Sequence, residues 1–104
     1  MVRELQRQVR DFVAAYDLQT NLQSRLLDWV SEVGEVAKEA LKGTQYGSVS
    51  FRPTEGWEGE LGDAFFSLIC VANATGVDLD TALDRALEKY RSRLESRQIG
   101  RAHV

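Results

Sequence analysis

Residues 57–76, WEGELGDAFFSLICVANATG, decide the fold. From Ala64 to Ala74 the stretch is apolar almost without interruption, and a helix apolar all round is a buried one. The spacing predicts a third helix from about Trp57 to Thr75, ended by Gly76, with Asp78 placed to cap the next. That fourth helix sets Leu79, Leu83, Ala86, Leu87, Tyr90 and Leu94 on one face. Upstream, residues 43–56, GTQYGSVSFRPTEG, lack helical periodicity and carry the chain's one proline, so they read as a loop. A loop of this length in a small domain is more often functional than idle. Before it, a second helix runs from about Leu22 to Leu41, with Thr20 or Asn21 as N-cap and Gly43 past its end. Its expected core face is Leu22, Leu26, Trp29, Val30, Val33, Ala37 and Leu41. The first helix places Leu5, Val9, Phe12, Val13 and Tyr16 at amphipathic spacing. The predicted architecture is an all-α, four-helix bundle-like domain over residues 1–97, followed by a disordered tail at 98–104.

The 104 residues bound one domain, and 43% hydrophobic with 28% charged residues is ordinary for a globular chain. A domain this small buries a modest share of its surface, and the faces of helices one and three exceed what it can cover alone. Self-association as a dimer or tetramer is therefore expected. A net charge of −3 argues against a nucleic acid duplex as partner. One cysteine, Cys70, excludes an internal disulfide framework and fits a reducing compartment. The amphipathic start MVRELQRQVRDF has no signal-like apolar core, and no apolar run reaches the ~18 residues of a membrane span. The expected location is the cytoplasm, away from membranes.

Charge placement carries the functional signal. At about 100° per residue, Asp28, Glu32, Glu35 and Glu39 share one stripe of the second helix. On the third helix Glu60 and Asp63 lie on the same side as Ala64, Ser67, Val71 and Ala74, along a seam that becomes core one turn later. Two carboxylates ~4 Å apart repel by ~1 kcal/mol in water and ~4 kcal/mol at an effective dielectric of 20. Arginines, a raised pKa or a metal ion relieve such repulsion. Lys38 and Lys42 lie off the stripe, which favours the metal. The candidate ligands are all oxygen, so Mg²⁺ fits, with Mn²⁺ as a substitute, rather than Zn²⁺. A solvated acidic helix face is the plain alternative for Glu32, Glu35 and Glu39; it is weaker for Glu60 and Asp63, beside a buried run.

The ordered set of Glu32-x-x-Glu35, 24 intervening residues, then Glu60-x-x-Asp63 resembles the MazG-type, all-α nucleoside triphosphate pyrophosphohydrolases. SEVGEVAKEALKG is similar to the family's first metal-binding helix, GELGDAFFSLICVANATGVDLDTAL to its second, and ALEKYRSRL to its closing basic motif. The likeness covers residues 22–95. It implies a Mg²⁺-dependent enzyme cutting a nucleoside triphosphate between the α- and β-phosphates. Glu32, Glu35, Glu60 and Asp63 would be metal ligands, one of them aiding water deprotonation. Lys89 and Arg93 match the phosphate-contacting pair, while Leu87 stands where many members have asparagine. Such chemistry needs positioning and charge neutralisation more than covalent help.

Arg85, Lys89, Arg93 and Arg97 recur every fourth position, and a solvated face balanced by Asp84 and Glu88 accounts for Arg85 and Arg97. Trp57, Tyr46 and Phe51 can stack on a base or pack the hinge of the loop. Gly34, Gly59 and Gly62 beside the carboxylates suggest close approach by a helix, metal or substrate. Two other functions compete. A phosphoribosyl-ATP pyrophosphohydrolase would share the acidic motifs, but no histidine follows Asp63 in the third helix. A non-catalytic helical dimerisation module would bind metal only structurally. A di-iron bundle needs Glu-x-x-His pairs, and none exist.

Overall fold

Four helices in chain order form the structure, a computed structural model that describes the backbone of residues 1–102 and the side chains of residues 1–97. They are α1 (Val2–Ala15), α2 (Leu22–Gly43), α3 (Trp57–Ala74) and α4 (Leu79–Ala102). The side chains of the expected tail at 98–104 lie outside the described residues, as does His103.

Local signals set the helix ends. Asn21 caps α2, its side chain accepting from Ser24 N–H at 2.8 Å. Gly76, at φ +68, closes α3: Val77 N–H reaches Ala72 O at 2.9 Å and Gly76 N–H reaches Asn73 O. Asp78 then accepts from Asp80 N–H at 2.9 Å and Thr81 N–H at 3.3 Å, starting α4.

α3 lies between α2 and α1, with α2 and α3 sharing the most extensive packing. Its buried residues include Ile69, Cys70 and Ala72, the apolar core, and Ser67. Phe12 of α1 meets Phe66 edge-on with centroids 6.1 Å apart, and Tyr16 at 5.0 Å. α4 turns away from α3 by 102° and rests on α1. No single described helix is long and apolar enough to cross a membrane.

The junction of α1, α3 and α4 is polar. Gln6 is 4% exposed. Its amide donates to Val77 O at 2.8 Å and Asn73 Oδ1 at 3.1 Å, and its oxygen accepts from Leu79 N–H at 2.9 Å. Asn73 returns a bond to Gln6 O at 3.0 Å. Asp80 reaches back from α4 to the Val2 and Arg3 N–H groups, and Asp78 pairs with Arg3 at 2.7 Å. These bonds fix the angle at which α4 leaves.

Two expectations about packing change here. The face of α2 turned to α3 carries the half-buried Arg25, Trp29, Glu32, Val36, Glu39 and Ala40, whereas Leu26, Val30, Val33 and Leu41 of the expected core face are exposed. α3 is also covered only in part, with Leu61 and Phe65 open. The chain exposes 8016 Å², where a compact chain of this mass exposes roughly 5,900 Å². Its radius of gyration is 18.1 Å, against about 13 Å for a compact chain of this length.

Gln6→Leu keeps the volume but strips Val77 O and Leu79 N–H of their partner. Unpaired buried groups cost about 1–3 kcal/mol each, so denaturant unfolding is expected to show a loss of roughly 2–4 kcal/mol. Hydrogen exchange should quicken first at the start of α4. A variant as stable as the parent would show that this polar junction does not hold α4.

Candidate active site

The α2–α3 seam gathers three of the four expected carboxylates. Glu32 from α2 and Glu60 and Asp63 from α3 place ligand oxygens within 4.8 Å of one another. Glu32 and Glu60 are half-buried, and Asp63 is exposed at the mouth. Helix geometry explains the convergence: Glu60 and Asp63 are one turn apart on α3, and Glu32 lies one turn beyond Trp29 on the face of α2 that meets it. Glu35 is exposed and outside the set of three, yet its charge acts on Glu60.

The electrostatics of the cluster are those of unneutralised like charges. Among the described residues no lysine or arginine pairs with Glu32, Glu60 or Asp63. Desolvation pushes the Glu60 carboxyl above its ordinary range, and the negative charges of Glu35, Asp63, Glu32 and Glu39 push it further. Three carboxylate oxygens in such proximity, with no nitrogen or sulfur donor, fit a hard divalent cation of the Mg²⁺ or Mn²⁺ type.

Glu39 has a different role from its neighbours on the stripe. Its carboxylate accepts from Thr54 Oγ1 at 2.5 Å and pairs with Lys42 Nζ at 3.6 Å. Lys42 is thus not idle, as its position off the stripe had suggested. Glu39 therefore latches the end of the 44–56 loop to α2. A Cβ on Gly56 would meet Glu39 Oε1 at 2.9 Å, so a larger residue there would push the Glu39 carboxylate aside. At the loop's other end Gln45 and Tyr46 adopt φ of 49° and 59°, and Gly47 of 90°. Arg52 N–H bonds Gly43 O at 3.0 Å, and the Phe51 ring lies where a Cβ on Gly43 would stand. The loop thus aims α3, and with it Glu60, at α2.

The remaining candidates lie apart from the cluster. Trp57 is half-buried at the start of α3, its ring edge-on to Phe51 at 5.0 Å, which is hinge packing. Tyr46 is exposed. Lys89 and Arg93 are exposed on α4, the Lys89 ammonium 5.1 Å from the Tyr90 ring. Asp63 lies ~16 Å before the end of α3 and Lys89 ~15 Å past the start of α4. With the helices turned by 102°, the two stand on the order of 20 Å apart, beyond side-chain reach. A Cβ on Gly34, Gly59 or Gly62 meets nothing within 4 Å, so packing within the chain does not require these glycines. Cys70 is buried and its thiol pushed up by that burial, as expected of a small apolar filler. Reading the sequence missed the Glu39–Thr54 latch and the Gln6–Asn73 pair. Gln6 falls in register with Val2, Val9 and Val13, and that polar break in an apolar face was the available signal.

The raised Glu60 carboxyl fixes the sign of a pH effect. Between the ordinary value of 4.5 and its raised one, the folded chain keeps a proton the unfolded chain has released. Stability therefore falls as pH rises through that window. Asp78 and Asp80 do the reverse. The Arg3 guanidinium holds the first below 3.8 and the Arg3 N–H group the second, so their stabilisation is lost as pH falls through those lowered values. In chelator, Glu60→Gln is expected to flatten the decline above pH 4.5 and leave the acid limb unchanged. Thermal melts across the acidic-to-neutral range check this; superimposable profiles would mean the three carboxylates do not interact.

Known proteins place this geometry. Residues 20–98 match the MazG nucleotide pyrophosphohydrolase domain, a span that contains all four acidic positions together with Lys89 and Arg93. The uncharacterized protein YpjD of Bacillus subtilis (strain 168) is 32% identical over 97 residues, covering 90% of this chain and 83% of its own. The crystal structure of a Bacillus-conserved MazG protein, described as a nucleotide pyrophosphohydrolase, aligns with a TM-score of 0.72 at 26% identity, over 86% of this chain and 88% of that one. The crystal structure of YpjD from Bacillus subtilis gives the same TM-score and identity, over 89% and 95%. With the domain matched over most of its length and an acidic cluster at the seam of its second and third helices, this chain belongs to the MazG nucleotide pyrophosphohydrolase family.

Proposed function

We propose that the chain is a Mg²⁺-dependent hydrolase, with Mn²⁺ as substitute, that cleaves a nucleoside or deoxynucleoside triphosphate between the α- and β-phosphates. The products are a nucleoside monophosphate and pyrophosphate. The convergence of Glu32, Glu60 and Asp63 within 4.8 Å carries this reading, and the nucleotide pyrophosphohydrolase described for the Bacillus-conserved relative supports it. In it Glu32, Glu60 and Asp63 hold the cation, with Glu35 as fourth carboxylate. When bound, the cation neutralises phosphate charge and makes the attacking water more acidic. Lys89 and Arg93 hold the β- and γ-phosphates through charge-assisted hydrogen bonds. Trp57, one turn before Glu60, stacks on the base. The same reading includes a cytoplasmic setting and self-association as a dimer or tetramer.

The test is pyrophosphate release from a panel of nucleoside triphosphates with and without Mg²⁺. Oxygen from labelled water is expected in the monophosphate; label in pyrophosphate would move the attack to the β-phosphorus. Losing a charge-assisted hydrogen bond should cost about ten- to a hundredfold. Arg93→Ala is expected to lose activity chiefly through KM, and Lys89→Ala through both KM and kcat. Unchanged kinetics in both would return these cations to a solvated surface.

A further inference from the structure

Away from the acids, a cavity opens at the other end of the α2–α3 seam. It encloses about 290 Å³, close to the lower end of small-molecule pockets at ~300–1,000 Å³. Val9, Arg10 and Val13 of α1, Thr20 from the α1–α2 link, Arg25 of α2 and Asn73 of α3 stand on its wall. Arg25 precedes Glu32 by two turns of α2, and Cys70, also on the wall, follows Asp63 by two turns of α3. The cavity therefore lies on the order of 10 Å along the seam from the carboxylate cluster. Half-buried Trp29 and buried Ser67 occupy the intervening turns.

The two ends of the seam carry opposite signs. Neither Arg10 nor Arg25 pairs with a carboxylate among the described residues. Arg25 is half-buried, and of a guanidinium's five N–H donors it gives one to Leu18 O at 2.6 Å. That bond holds the side chain against the link, and its other donors have no protein acceptor among the described residues. Its charge reaches the cavity wall: burial raises the Cys70 thiol, and the Arg25 guanidinium works against that rise. Asp28 also acts on the thiol, but it is off the wall and pairs with neither arginine. A half-buried cation with open donors is costly until an acceptor meets it. Gln19 and Thr20 lead directly into the 22-residue α2, and the positive end of that helix adds to the same field.

We propose that this cavity is a separate anion site, which takes a small phosphate-bearing molecule between Arg10 of α1 and Arg25 of α2. A guanidinium fork matches phosphate oxygens, and a fork from each side suits a dianion better than the single charge of a carboxylate. The Thr20 hydroxyl offers a further donor. Val9, Val13 and Ala74 leave an apolar side that the organic part of a phosphate ester would cover. α1 packs chiefly on α3 and α4, so an anion held by both arginines ties α1 to the start of α2. Binding there stabilises the fold by mass action and needs no cation at the carboxylates.

The experiment titrates inorganic phosphate, phenyl phosphate and benzoate calorimetrically into the full chain in chelator, where the acids hold no cation to attract an anion. Saturable binding of the phosphates is expected, with benzoate weaker. Tighter binding of phenyl phosphate assigns the site to a phosphate ester, and equal affinities assign it to free phosphate. Arg10→Gln and Arg25→Gln are each expected to weaken binding about ten- to a hundredfold, with helix content unchanged by circular dichroism. Arg10 is exposed, so its variant tests the site even if Arg25→Gln disturbs the link. Hydrogen exchange in α1 is expected to slow when phosphate binds. Asp63→Asn and Arg93→Ala are expected to bind as wild type does, which separates this site from the proposed hydrolytic one. No saturable binding of either phosphate, or binding that survives both arginine variants, overturns the inference. Loss of binding in Arg93→Ala would move the anion to α4 and overturn it as well, and so would benzoate binding as tightly as the phosphates.

Discussion

Mutual repulsion among Glu32, Glu60 and Asp63 is the constraint around which the rest of the chain is arranged. Oxygens of like charge within 4.8 Å of each other do not converge unless the scaffold forces them. The force comes from packing on both sides. Below the acids, Ser67, Ile69, Cys70 and Ala72 form the interior of the helix layer. Above them, Glu39 grips Thr54, so the 44–56 loop delivers α3 at a fixed height against α2. Glu39 is thus satisfied within the protein, whereas Glu32, Glu60 and Asp63 at the seam have no cationic partner among the described residues.

A second constraint follows from chain length. A layer of three helices with so small a core leaves large apolar residues open on every element. The exposure has a pattern: a stripe on α2, a groove between α1 and α3, and an α4 stripe flanked by opposite charges. The polar junction at Gln6 makes α4 a rigid arm, since it satisfies Val77 O and Leu79 N–H only at one angle. An arm held at that angle keeps Leu83, Leu87, Tyr90 and Leu94 open to solvent.

The helices were legible in the sequence because their ends are written in local chemistry: Asn21 before α2, Gly76 after α3 and Asp78 before α4. The acidic cluster was legible because i, i+3 spacing fixes a face whatever the tertiary context. The face of α2 that packs within the chain was not. Hydrophobic periodicity marks which residues leave water, but not whether their own chain or another covers them, so Val30 and Val33 read as core and stand exposed. The open sides of Gly34, Gly59 and Gly62 likewise face no part of this chain. The roles of Gln6 and Glu39 depend on partners 67 and 15 residues away, which no local pattern encodes.

The central claim is that the three seam carboxylates form a cation site. Calorimetric titration of Mg²⁺ into nucleotide-free protein, wild type beside Asp63→Asn, tests it most directly, with circular dichroism confirming equal helix content. Saturable binding to wild type that is lost in Asp63→Asn is the predicted result. Equal binding to both proteins, or none to wild type, would contradict it.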